Sequence, residues 1–229
     1  MKNEYSVVIP AYNAEATIAE ALASILNQTY MAKSIIVVDD GSDDDTAEIA
    51  RSMCESITVI QQKNLGCGAA TNVGLAQVKT EYIAFLDADD VWHKLKAEIQ
   101  LKYLSKHEEI SMVCTQVQTF SGMFEHAKVR ELENPSVDLW GRTTMMMRTQ
   151  AARQIGDVID PTGGRGDMVD WMARGKELGQ KYHMHPSVLA YRRIRPESLS
   201  YGRDRDKDRG YLQVVKLALE RKRAQQKDA

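Results

Sequence analysis

Asp87 and Asp89 stand two residues apart, directly after the apolar run Tyr82 to Leu86, with Asp90 beside them. Carboxylates crowded at one strand end repel each other and lose hydration, so they need a cation or hydrogen-bond donors in compensation. A hard divalent cation meets that need. It takes carboxylate oxygens on one side and diphosphate oxygens on the other, neutralising charge on a departing nucleotide. The competing use of Asp89 and Asp90 is as N-caps of the helix expected next. Asp39-Asp40-Gly41-Ser42 closes the run Ile35 to Val38, and Pro10-Ala11-Tyr12-Asn13 closes the run Tyr5 to Ile9. The Asp40 carboxylate can accept a hydrogen bond from a base N–H and Tyr12 can offer that base an aromatic face, although the same residues suit a turn and a core contact.

The elements that must position these groups follow from periodicity. Short apolar runs at residues 5–9, 35–38, 57–60 and 82–86 read as strands. Between them, Ile18, Leu22, Ile25 and Leu26 recur at helical spacing with Asn13 as N-cap, and Ala47, Ile49, Ala50 and Met53 mark a second helix over 45–54. Ala69, Ala70, Val73 and Ala76 mark a third, after the turn Asn64-Leu65-Gly66. Alternation of this kind predicts a doubly wound, mostly parallel sheet with helices on both faces over residues 1 to about 90. In such a sheet the ligand crevice lies beyond the carboxyl ends of the strands, where all three acidic or aromatic signatures fall.

The second half is less regular. Leu95, Ile99 and Leu104 predict a helix, Met112 to Phe120 a strand, residues 123–139 a long loop or hairpin, Val169, Met172 and Leu178 a helix, and Pro186 to Tyr191 a late strand. The charged tail from Arg203 to Ala229 carries a thin stripe of Leu212, Val215 and Leu219.

With 229 residues, the chain suits one domain and can bury roughly three-quarters of its unfolded surface. Thirty Lys and Arg against 32 Asp and Glu give a net charge of −2, which supplies no global attraction to nucleic acid. Cys54, Cys67 and Cys114 lack the spacing of a zinc site or a disulfide framework. The apolar stretch at residues 6–9 is too short for a signal peptide or membrane span, so a soluble, cytoplasmic protein is expected, with peripheral membrane contact still open.

In order along the chain, Pro10 to Asn13, Ser24 to Thr29, Val38 to Ser42, Asn64 to Gly66, Ala70 to Asn72 and Phe85 to Asp90 resemble the motifs of family 2 glycosyltransferases over about the first 105 residues. The resemblance implies a GT-A fold and an inverting transfer from a nucleoside-diphosphate sugar, UDP foremost, with Mn²⁺ or Mg²⁺ as cofactor. It implies that residues 1–105 bind the donor, 106–202 the acceptor, and that 203–229 form a charged, helical tail. It assigns Asp40 to reading the base, Pro10 and Tyr12 to its pocket, and Asp87 and Asp89 to the metal. Ala11, Asn13, Asp39, Asn64, Gly66, Asn72 and Ala88 complete the expected nucleotide site.

Farther along, the resemblance aligns Asp167 with a general base through its spacing to Trp171, and Asp170, one helical turn on, is the alternative. Two departures stand out: Thr71 replaces an arginine, and Gly166 replaces a glutamate before the base. Arg192 and Arg193 resemble a late Tyr-Arg pattern that continues through residues 196–200, with Arg195 where histidine is common. Trp140, Arg142 and Met145 to Met147 fall where the family builds its acceptor wall. The acceptor itself, whether saccharide, lipid-linked glycan, peptide or small molecule, is not legible. Rival readings are a nucleotide-sugar-binding module that has lost catalysis and a sugar-1-phosphate nucleotidyltransferase. The latter lacks its glycine-rich cationic loop, and no GxGxxG follows a strand as a dehydrogenase needs.

Overall fold

The computed structural model describes residues 3–124, 134–195, 202 and 204–227. The centre of the expected 123–139 loop and the pattern at 196–200 fall outside these residues. Nine strands form one mixed sheet: β1 (Tyr5–Ala11), β2 (Ser34–Asp39), β3 (Ile57–Gln61), β4 (Tyr82–Phe85), β5 (Val91–Trp92), β6 (Ile110–Phe120), β7 (Val137–Asp138), β8 (Met146–Arg148) and β9 (Lys181–Arg193). Their order is β3-β2-β1-β4-β8-β6-β9-β5, with β7 paired to β6. The block β3-β2-β1-β4 is parallel, as the alternating pattern predicts, whereas β8 runs antiparallel to both β4 and β6.

Helices cover both faces because the buried strands are apolar on both sides. On one face α1 (Ile18–Leu26), α2 (Thr46–Met53) and α4 (Lys96–Lys106) pack on Val7, Ile9, Ile35 and Val37. On the other, α3 (Cys67–Gln77), α5 (Thr149–Ile155) and α6 (Asp167–Glu177) pack on Val8, Ile36, Val38 and Phe85. Helix α3 lies so close that a Cβ at Gly74 would sit 2.4 Å from Val8 Cγ1, which fixes glycine there. Helix α7 (Arg205–Lys227) packs against α6. Among the described residues, no helix is long and apolar enough to cross a membrane.

Several expectations are corrected. Helix α1 begins at Ile18 after Thr17, while Asn13 adopts a left-handed backbone (φ 47°) and accepts a hydrogen bond from the Asp43 N–H. Asp89 and Asp90 cap no helix, because β5 intervenes before α4. On α6, Met168, Trp171 and Met172 face inward, and Val169 and Leu178 are exposed. On α7 the stripe Leu212, Val215 and Leu219 faces solvent, and Gly210 and Val214 are buried instead. Met145, Met146 and Met147 are wholly buried, so they are core and not an acceptor wall.

Candidate active site

Parallel pairing brings the carboxyl ends of β1, β2 and β4 to one edge, with Ala11 in register with Asp39 and Val8 with Phe85. The loops that leave those ends open onto a cleft of ≈ 670 Å³. Pro10 and Ala11 at the end of β1 line it with Tyr12 just beyond, as do Asp40 after β2 and Asp87, Ala88 and Asp89 after β4. Asn64, Gly66, Arg142, Asp167, Arg192 and Arg193 line the same cleft.

Tyr12 is 49% exposed, so its ring is free to stack. Asp40 is nearly buried and its oxygens accept from Gln62 Nε2 (2.7 Å), Leu65 N–H (2.9 Å) and Gly66 N–H (2.9 Å). It therefore holds the Asn64–Gly66 turn, where Gly66 has φ 102°. A carboxylate can accept about four hydrogen bonds, which leaves one position for a base N–H. Asp39 lies beneath the turn, accepting from Ser42 and Gln61, and does not line the cleft. Asn13 and Asn72 are likewise outside it: Asn72 exchanges two hydrogen bonds with the backbone of Val158. Thr71 is fully buried and donates to Cys67 O, so the family's arginine has no room to reach the cleft from there.

The acidic motif is neutralised by arginines. Arg142 Nη1 donates to Asp87 Oδ1 at 3.0 Å and its other terminal nitrogen contacts Asp167, while Arg195 reaches Asp89 at 3.1 Å. Arg142 is 7% exposed. Burial opposes its charge, but Cys67, Asp167 and Asp87 raise its pKa well above the usual arginine range. Burial and then the neighbouring Asp87 push Asp89 above the usual carboxylate range, against the pull of Arg195. Asp90, buried and repelled by Asp89 and Asp87, is pushed up further. Its oxygens accept from Thr143 Oγ1 (2.5 Å) and the Arg193 N–H (2.9 Å), so it braces the loop. The Arg193 side chain serves the same frame, donating to Asp89 O and reaching Gly122 and Glu20.

Asp167 opens α6 and faces the cleft, whereas Asp170 is 2% exposed and turned to Arg174 (2.9 Å) and Arg221 (2.8 Å). The alternative assignment to Asp170 therefore fails on access. Trp171 is fully buried, edge-on to Phe85, with Nε1 donating to Gly156 O. Trp140 lies outside the cleft beneath Lys176. Three cleft groups escaped the sequence reading: Thr143, whose hydroxyl bridges Asp87 and Asp90; Cys67, whose thiol burial pushes up to about 12; and Tyr211. None belongs to a local pattern; each arrives by tertiary contact.

The solved structures similar to this fold include Staphylococcus aureus TarS in complex with UDP-GlcNAc (TM-score 0.74, 22% identity, 94% of this chain and 65% of that one). The mannosyltransferase PcManGT of Pyrobaculum calidifontis, in complex with GDP-Man and Mn²⁺, matches with a TM-score of 0.67 at 18% identity over 86% of this chain and 58% of that one. In sequence, an uncharacterized glycosyltransferase of Rickettsia felis is 43% identical over 108 residues, 46% of this chain and 18% of the relative. The glycosyltransferase GlyA of Streptococcus pneumoniae is 40% identical over 91 residues, 38% of this chain and 13% of its own length. The chain thus spans well under half the length of these relatives. The family model for glycosyl transferase family 2 matches residues 6–165, a span that holds the three strand-end signatures and stops two residues before Asp167. With its mixed α/β sheet of the GT-A kind and its crevice at the strand ends, the chain belongs to glycosyl transferase family 2.

Proposed function

We propose that the chain transfers a sugar from a nucleoside diphosphate, UDP foremost, to an acceptor hydroxyl by a metal-assisted single displacement that inverts the anomeric centre. The observation that carries this reading is the convergence of Asp87, Asp89 and Asp167 on one cleft, with Arg142 bridging Asp87 and Asp167. Tyr12 and Asp40 would take the base, and the diphosphate would run toward Asp87 and Asp89.

The residues fit a divalent cation. Asp87 and Asp89 offer hard oxygens in the cleft, where arginines already meet them: Arg142 at Asp87 and Arg195 at Asp89. Among the described residues no group of three or more His, Cys, Asp or Glu could hold a metal ion, so diphosphate and water would complete the shell, as is usual for magnesium-type sites. When bound there, the cation supplies charge neutralisation for the leaving nucleotide. Asp167 accepts the acceptor proton as the hydroxyl attacks the anomeric carbon. Arg142 holds Asp167 in place and carries compensating charge across the cleft.

Calorimetric titration with UDP in the presence of Mn²⁺ tests the donor site. Wild type should bind with UDP preferred over GDP and ADP, and Asp89→Ala should lose the Mn²⁺-dependent part. Equal affinity in the variant would sink the metal assignment, and equal affinity for all three nucleotides would remove Asp40 from base reading.

A further inference from the structure

Beside Asp167 the cleft wall carries two apolar side chains that the donor chemistry leaves unused. Val169 is 47% exposed and Tyr211 is 46% exposed, and both line the cleft. Tyr211 comes from α7, which is tied tightly to the segment around the base. Asp208 pairs with Arg165 at 2.6 Å, Gln213 Oε1 accepts from the Thr162 N–H at 2.7 Å, and Arg221 pairs with Asp170 and Glu177. Gly210 lets the helix seat, because a Cβ there would lie 2.0 Å from Arg165 O.

The ring of Tyr211 rests on the residue immediately before Asp167. A Cβ at Gly166 would lie 3.2 Å from Tyr211 Cδ1 and 3.2 Å from Val214 Cγ2, at a backbone angle (φ 102°) that disfavours a side chain. Where the family pattern has a glutamate, this chain has a glycine with an aromatic ring over it. An exposed aromatic and an exposed aliphatic side chain in one cleft offer apolar surface to a ligand, and Asp167, which lines the same cleft, supplies a hydrogen-bond acceptor. A pyranose has the matching form, with a C–H face to lie on the ring and a rim of hydroxyls to meet the carboxylate. A lipid tail would need a longer apolar wall than these two side chains provide.

We propose that Val169 and Tyr211 form the acceptor subsite, and that the acceptor presents a saccharide ring whose hydroxyl meets Asp167. This rests on the assignment of Asp167 as the base. Saturation-transfer NMR on the full chain with UDP and Mn²⁺, using methyl glucoside, methyl galactoside and methyl N-acetylglucosaminide as probes, provides the test.

At least one glycoside should bind wild type and Tyr211→Phe alike, and bind Tyr211→Ala about tenfold more weakly, the effect expected of one ring contact. Val169→Gln, a surface substitution that leaves packing intact, should also weaken it. UDP affinity should be equal in all four proteins. Glycoside binding that survives both Tyr211→Ala and Val169→Gln overturns the subsite. So does UDP binding without any glycoside binding to wild type, which would turn the search to peptide or lipid acceptors. Absence of UDP binding in wild type overturns the donor reading, and the subsite falls with it.

Discussion

The carboxylates of this chain are separated by what surrounds them more than by where they stand in sequence. Asp167 and Asp170 lie one helical turn apart, yet one faces the cleft and the other is buried between two arginines. Their substitutions should therefore fail in different ways. Asp167→Asn should bind UDP normally and transfer sugar roughly 10² to 10⁴ times more slowly, the usual worth of a general base. Single-turnover kinetics alongside calorimetry would check it. Asp170→Asn should instead lose stability, about 3 kcal/mol for breaking a buried ion pair, seen as a fall in Tm of roughly 10 °C. An Asp170→Asn protein with wild-type Tm but no transfer would return the base to Asp170.

At the scale of elements, the segment carrying Arg142 is held by a row of buried donors reaching from β5 and α4. Trp92 Nε1 donates to Thr143 O (2.8 Å), Gln100 Nε2 to Thr144 O (2.8 Å) and Lys96 Nζ to Met145 O (3.3 Å). Three successive carbonyls are thus fixed just after Arg142, which aims its guanidinium between Asp87 and Asp167. Gln100→Leu should leave Thr144 O and Val113 O without this donor and cost about 1–3 kcal/mol, measurable by urea denaturation. Lys96 is fully buried, and burial lowers its pKa to about 7 from 10.5. The unfolded chain then holds more protons on Lys96 than the folded chain above neutrality, so this residue makes stability rise with pH. Between pH 7 and 8.5 the rise should be about 1.5 kcal/mol in wild type and absent in Lys96→Met. The buried thiols Cys67 and Cys114, whose raised pKa values act in the opposite sense once the unfolded thiols begin to ionise, trim the upper end of that rise.

For the whole molecule, the cleft joins a first half built on parallel strands to a second half that carries β9 and α7, and ligand that spans them should bind only the folded chain. UDP and Mn²⁺ together at a hundred times their dissociation constant should add about 2.7 kcal/mol, a Tm rise of roughly 5–10 °C by thermal unfolding. Chelating the metal with EDTA should remove most of that rise. An unchanged Tm with both present would contradict a nucleotide site in this cleft.

The first half of the fold and the strand-end residues of the cleft were legible in the amino-acid order, because their signals are local. A strand of four to seven apolar residues, a helix with its spacing and the turn between them are each contained in a short window, and parallel pairing then sends every strand end to one edge. That is why Tyr12, Asp40, Asp87 and Asp89 could be gathered before any coordinates. Side-chain direction is decided otherwise. Val169 or Met172 and Leu212 or Val214 differ by two or three residues, and which of each pair is buried depends on the partner that packs against it. The rest of the cleft, with Arg142 drawn between two carboxylates and Tyr211 laid on Gly166, is made from segments 25 to 55 residues apart or brought by α7. Periodicity cannot report such contacts, since they exist only after β8, β6 and β9 have inserted beside β4; the tertiary structure alone decided them.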